Sequence, residues 1–187
     1  MPTRRQALAA SLALAAAALG PAGAARAALA VGAAAPDFSA EAAVGGEVFR
    51  FTLSEALKQG PVVLYFYPKA FTSGCTIEAK LFADASEDFK ALGATVIGMS
   101  NDPIDTLRKF SVEACRSKFA VAADHGAKVM KAYDAALRIV PGMADRISYV
   151  ISPQGRVLHV HDSMSPEGHV TSTLKAVQAW KAGTATR

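Results

Sequence analysis

The run from Val62 to Tyr67 is apolar at every position. A strand that is buried on both faces reads this way, whereas a half-exposed strand alternates. Thr95 to Met99 reads as another buried strand, and Phe119 to Ala123 as a shorter one. Ile147–Ile151 and Val157–His161 are two further strand candidates, joined by Ser152-Pro153-Gln154-Gly155, a composition that favours a tight hairpin turn. Near the start, Glu47 to Phe51 follows Gly45-Gly46 and reads as the second arm of another hairpin. Helical periodicity fills the gaps. Leu53 to Lys58 predicts a short helix, capped by Thr52 or Ser54 and ended by Gly60-Pro61. Glu78 to Leu92 predicts a longer one, with Leu81, Phe82, Phe89 and Leu92 on one side and Gly93 as the stop. Ser100-Asn101-Asp102-Pro103 opens a helix expected to run to about Cys115 or Lys118. Lys128–Tyr133 and Pro166–Trp180 complete the set, the last with Val170, Leu174 and Val177 inward. Strands alternating with helices, then a hairpin and a helix, predict an α/β domain. Its central mixed β-sheet is flanked by helices, with an N-terminal β-hairpin.

Residues 1–27 stand apart from this pattern. Arg4-Arg5 precede an uncharged apolar stretch of 13 residues, Ala7 to Leu19, which Pro21 and Gly23 interrupt before small residues such as Ala25-Arg26-Ala27. A spanning helix needs roughly 20 apolar residues. The expectation is therefore a cleaved export signal peptide over 1–27, with Thr3-Arg4-Arg5-Gln6-Ala7-Leu8 resembling a twin-arginine signal and Ala7 departing from it. The expected location is the periplasm, without stable membrane association once the signal is removed. The domain is assigned to 31–187. The formal charge of +4 owes much to the leader: without Arg4, Arg5 and Arg26 the chain carries 17 basic and 16 acidic side chains. With no basic stripe, no nucleic-acid partner is expected. Two cysteines are too few for a disulfide framework, so reactivity is the better account of at least one.

Cys75 is the candidate. It follows the strand ending at Tyr67-Pro68 and stands where a helix should begin, so the free N–H groups of the first turn can stabilise a thiolate. A thiol that reduces peroxide also needs groups that polarise the O–O bond and take up the departing oxygen. Thr72, three positions earlier, offers a hydroxyl from the loop. Arg146, heading Arg146-Ile147-Ser148-Tyr149, offers a charge that persists at any working pH. Pro68 has no N–H and can shape and shield the pocket floor. Each has a plainer reading as well: Thr72 as a helix cap, Arg146 as a surface ion-pair partner, Cys75 as a small core residue. Glu78 is favourable in a first helical turn with or without a role.

Pro68-x3-Thr72-x2-Cys75 resembles the peroxiredoxin active-site motif. The wider run from Phe66-Tyr67-Pro68-Lys69 through Gly74-Cys75-Thr76 and Glu78-Ala79 resembles the bacterioferritin-comigratory (Q-type) branch. Gly32 to Phe38 is similar to that family's opening, and Arg146-Ile147-Ser148-Tyr149 to the segment carrying its arginine. The resemblance implies a thioredoxin-like fold and a thiol peroxidase acting on hydrogen peroxide or organic hydroperoxides. Cys75 would be the peroxidatic cysteine, Thr72 would bond the peroxide, Arg146 would stabilise thiolate and leaving oxygen, and Pro68 would shield the sulfenic acid. It also implies a thioredoxin-like reductant, no cofactor, and a monomer or weak dimer.

The likeness is incomplete. Many members of the branch have a resolving cysteine five positions after the first, where this chain has Lys80. Cys115, forty positions on, approximates a second class of resolving cysteine. Otherwise it is a core residue, and an external thiol does the work. Two rival functions stay open. A thiol–disulfide exchange protein on the same fold would want Cys-x-x-Cys, and it is disfavoured because Thr72 and Glu78 stand three positions before and after Cys75. A non-catalytic module would hold its two cysteines in a permanent bridge. The histidines (His125, His159, His161, His169) do not suggest a metal site: His159 and His161 share a strand face, but no third ligand lies near in sequence.

Overall fold

The computed structural model describes residues 28–185, so the expected leader over 1–27 lies outside the described residues. Seven strands form one sheet: β1 (Ser39–Val44), β2 (Glu47–Thr52), β3 (Val62–Phe66), β4 (Thr95–Ser100), β5 (Ala120–Ala123), β6 (Ile147–Ile151) and β7 (Val157–Asp162). Their order is β2-β1-β5-β4-β3-β6-β7. The three central strands, β5, β4 and β3, run parallel, while β1 and β6 pair antiparallel at either side and each carries its hairpin partner outward. The sheet is mixed, as the element order implies.

Six helices cover it: α1 (Leu53–Leu57), α2 (Ser73–Asp84), α3 (Ser86–Ala91), α4 (Ile104–Glu113), α5 (Lys128–Ala132) and α6 (Glu167–Ala185). Side chains of a strand alternate between faces, and the all-apolar β3 supplies both cores. Val62, Leu64 and Phe66 join Leu53, Met130, Tyr133 and Tyr149 beneath α1 and α5. Val63, Tyr65 and Tyr67 join Phe82, Phe89, Phe110, Cys75 and Cys115 beneath the other helices. Each large side chain buried in this way contributes about 1.5–3 kcal/mol. No described helix is long and apolar enough to cross a membrane.

Three local expectations need correction. The single helix expected over 78–92 is two, because the chain leaves helical geometry at Ala85 (φ −88°, ψ 2°). The bend keeps Phe82 and Phe89 on one core, both fully buried with ring centroids 6.0 Å apart, and no Gly or Pro announces it. The first of the two helices begins at Ser73, which places Cys75 in its first turn. Neither Thr52 nor Ser54 caps α1 with its side chain. Asp37 Oδ1 accepts from the Ser54 N–H at 3.0 Å, while the Thr52 hydroxyl pairs with Ser39. Finally, α4 stops at Glu113, because Arg116 and Ser117 turn into the left-handed region (φ 50° and 58°). Cys115 therefore lies in the turn beyond the helix, its N–H bonded to Phe110 O at 3.1 Å.

Candidate active site

The loop between β3 and α2 is held from below. The Tyr67 N–H donates to Met99 O at 3.1 Å, and the Ala70 N–H to the buried Asp102 carboxylate at 2.8 Å, which Ser100 Oγ also reaches at 2.8 Å. These bonds tie the loop to the end of β4, and Phe71 then takes a positive φ of 64° to turn the chain into α2. Thr72 occupies the N-cap position in extended geometry without bonding a first-turn N–H through its side chain. Its exposed hydroxyl donates to Lys69 O at 2.9 Å, which leaves the oxygen's lone pairs for an incoming donor. Half-buried Pro68 lines a cleft of about 570 Å³ with Phe71, Asp102, Val140, Pro141 and Met143.

Cys75 is the third residue of α2 and only 1% exposed. Arg146 immediately precedes β6, on the strand face that Ser148 and Val150 share with the Cys75 core. Arg146 is 4% exposed, and its guanidinium makes three contacts. One amino group donates to Cys75 Sγ at 3.5 Å, the other to Glu78 Oε2, and Nε donates to Met164 O at 3.0 Å. The structure thus brings Cys75, Arg146 and Glu78 together. Gly74 permits it: a Cβ there would lie 3.0 Å from an Arg146 amino nitrogen.

The electrostatics follow from burial. Burial works against the Arg146 charge, but Glu78 and Cys75 outweigh it and raise the guanidinium above its ordinary range. Glu78 is fully buried, and desolvation pushes its carboxyl up to about 8 although Arg146 opposes the shift. One contact therefore favours the charge on both partners, yet the deeper carboxyl loses more solvation than it regains. Cys115 is fully buried in the apolar cluster that also holds Cys75, and burial pushes its thiol upward. Both cysteines are free.

One participant was not singled out from the sequence. His169, on the first turn of α6, is fully buried, and its Nδ1 lies 3.6 Å from Glu78 Oε1. Burial, with lesser contributions from His161 and Arg146, pushes its imidazole down to about 4, against a hydrogen bond to Ser163 O. No group of three or more His, Cys, Asp or Glu among the described residues could hold a metal ion.

Residues 31–160 match the model of the AhpC/TSA family. A chloroplastic peroxiredoxin Q of Oryza sativa subsp. japonica is 36% identical over 149 residues, 79% of this chain and 66% of that protein. Its counterpart in Sedum lineare is 36% identical over 125 residues, 66% of this chain and 67% of that one. The chain spans about two thirds of the length of these curated relatives. Among solved structures, peroxidoxin BcpB of Mycobacterium tuberculosis superposes with a TM-score of 0.71 at 31% identity, covering 80% of this chain and 96% of that one. The chain belongs to the AhpC/TSA family and, within it, to the Q-type peroxiredoxins.

Proposed function

We propose that this protein is a thiol peroxidase that reduces hydrogen peroxide and organic hydroperoxides through Cys75. The observation that carries the reading is the Cys75 sulfur in the first turn of α2, 3.5 Å from an Arg146 amino group. The Cys75 thiolate attacks the terminal peroxide oxygen. An S–O bond forms as the O–O bond breaks, and the departing oxygen leaves as water or an alcohol after taking a proton. Arg146 stabilises the thiolate and the charge developing on the leaving oxygen. Thr72, with lone pairs free at its hydroxyl, accepts from the peroxide O–H. Pro68 shields the sulfenic acid, and Glu78 supports Arg146.

A second thiol then attacks the sulfenic sulfur and releases water, and a dithiol reductant of the thioredoxin kind reduces the disulfide. Cys115 is the internal candidate. Cys115 is fully buried, and in this cycle the turn beyond α4 and the start of α2 open locally to bring the two sulfurs into bonding geometry. An external thiol is the alternative. Residues 1–27 serve as an export leader of twin-arginine type that delivers the 31–187 domain to the periplasm, where it works as a monomer or weak dimer. The support for this part is the Arg4-Arg5 pair and the apolar stretch behind it.

The test is peptide mass spectrometry of the parent and its Cys115→Ser variant after one equivalent of hydrogen peroxide. A rapid Cys75–Cys115 disulfide in the parent, with Cys75 sulfenic acid in the variant, is expected for the internal cycle. Sulfenic acid in both assigns resolution to an external thiol. No rapid change at Cys75 in either overturns the peroxidase reading.

A further inference from the structure

His169 makes two hydrogen bonds whose direction is fixed by chemistry. Its Nε2 lies 2.8 Å from Ser163 O, and only an N–H can pair with a carbonyl. The neutral ring then has a bare Nδ1, which accepts from the Ser148 hydroxyl at 2.8 Å. Burial keeps the ring neutral, and the edge of His161 packs on it with centroids 4.5 Å apart.

Both bonded partners lead to Arg146. The Ser163 N–H donates to the Arg146 backbone carbonyl at 3.2 Å, and the next residue, Met164, supplies the carbonyl that receives Arg146 Nε. Ser148 stands two residues after Arg146 on the same face of β6. Nδ1 also lies 3.6 Å from Glu78 Oε1, the oxygen beside the Oε2 that holds the guanidinium. A guanidinium gripped at Nε and at one amino group has its remaining amino group aimed by those two contacts, and that group faces the Cys75 sulfur.

Resting on the peroxidase reading, the geometry points to His169 as a positioning residue: its ring clamps the Ser163–Met164 segment against Ser148 and thereby aims Arg146 at Cys75. The hydrogen bonds of His169 go to Ser163 and Ser148 and not to the sulfur, so it acts through Arg146. The ring requirement is specific, with a donor on the Nε2 side for the turn and an acceptor on the Nδ1 side for Ser148. Gln can place an N–H near the Nε2 position. Asn reaches only the Nδ1 position, and Leu supplies neither.

The experiment is the rate of Cys75 alkylation by iodoacetamide across pH, read by peptide mass spectrometry in the parent and in His169→Leu, His169→Gln and His169→Asn. An aligned cation beside a thiolate is worth about tenfold in the rate at which the sulfur reacts. We expect alkylation at neutral pH to fall about tenfold in the Leu and Asn variants, with the profile displaced to higher pH, and the Gln variant to stay within about twofold. A purely structural role would lower stability and leave the profile in place. A folded Leu variant that follows the parent profile overturns the proposal. Should the Leu variant not fold, equal profiles for Gln and Asn overturn it. Alkylation does not depend on peroxide turnover, so a parent inert to peroxide would defeat the peroxidase reading and still leave this question answered.

Discussion

Cys75 and Glu78 bond to the two amino groups of one guanidinium, so two buried acids share a single positive charge. A thiolate and a carboxylate held there together leave a net negative charge with little solvent to relieve it. Glu78→Gln keeps an oxygen for Arg146 and removes the competing charge. We expect Cys75 alkylation above about pH 8, where the Glu78 carboxyl carries its charge, to accelerate by roughly threefold to tenfold in that variant. A slower reaction would mean that a charged Glu78 is needed to hold Arg146 in place.

The same carboxyl should make stability depend on pH. Its folded value, about 8, lies above the ordinary 4.5, because burial favours the neutral form. Stability from such a group is present in full below the unfolded value and is lost as pH rises through the folded one. Between about pH 4.5 and 8 the parent should therefore lose stability relative to Glu78→Gln, by on the order of 2–4 kcal/mol. Urea unfolding of both proteins at several pH values measures it. A parent that gains on the variant as pH rises would show the ion pair with Arg146 outweighing burial.

The division between what the sequence revealed and what it hid follows from contact range. β3 is a continuous apolar run and β4 and β6 are nearly so, which made their positions legible, and the motif from Pro68 to Cys75 lies within one loop and one helical turn. Arg146 could be anticipated because it heads a strand that has to lie beside β3. The break at Ala85 could not, because long-range packing of Phe82 and Phe89 produces it without a breaker residue. His169 was weighed only as a metal ligand. Its link to Glu78 joins α6 to α2 across 91 positions, and no local pattern encodes that. The signal that could have found it was a polar residue on the inward side of a helix, near Val170 and Thr173, which are also buried.

Gly74 tests whether the approach of Arg146 to α2 matters. Its backbone is helical, so alanine brings no conformational penalty, and helix propensity favours alanine by about 1 kcal/mol. The added Cβ would meet an Arg146 amino nitrogen at 3.0 Å, and that nitrogen belongs to a side chain held at three points. Gly74→Ala should therefore fold with near-parent stability and react with peroxide about tenfold to a hundredfold more slowly, as loss of an aligned electrostatic donor costs. Stopped-flow tryptophan fluorescence or competition kinetics gives the rate, and thermal unfolding checks the fold. Unchanged kinetics would mean that Arg146 has a second productive arrangement.

Cys115 provides the sharpest test of local opening. It is fully buried beneath the turn beyond α4, and burial holds its thiol strongly on the protonated side. A thiol in that state neither alkylates nor attacks a sulfenic acid. In the reduced native protein Cys115 should react with iodoacetamide at least about a hundredfold more slowly than Cys75. Its rate should climb in urea well below the global transition, with a smaller denaturant dependence than global unfolding, because only the turn and the adjoining end of α4 need to move. If instead Cys115 becomes reactive only as the whole domain unfolds, opening is too rare to serve a catalytic cycle. Resolution of the Cys75 sulfenic acid would then fall to an external thiol.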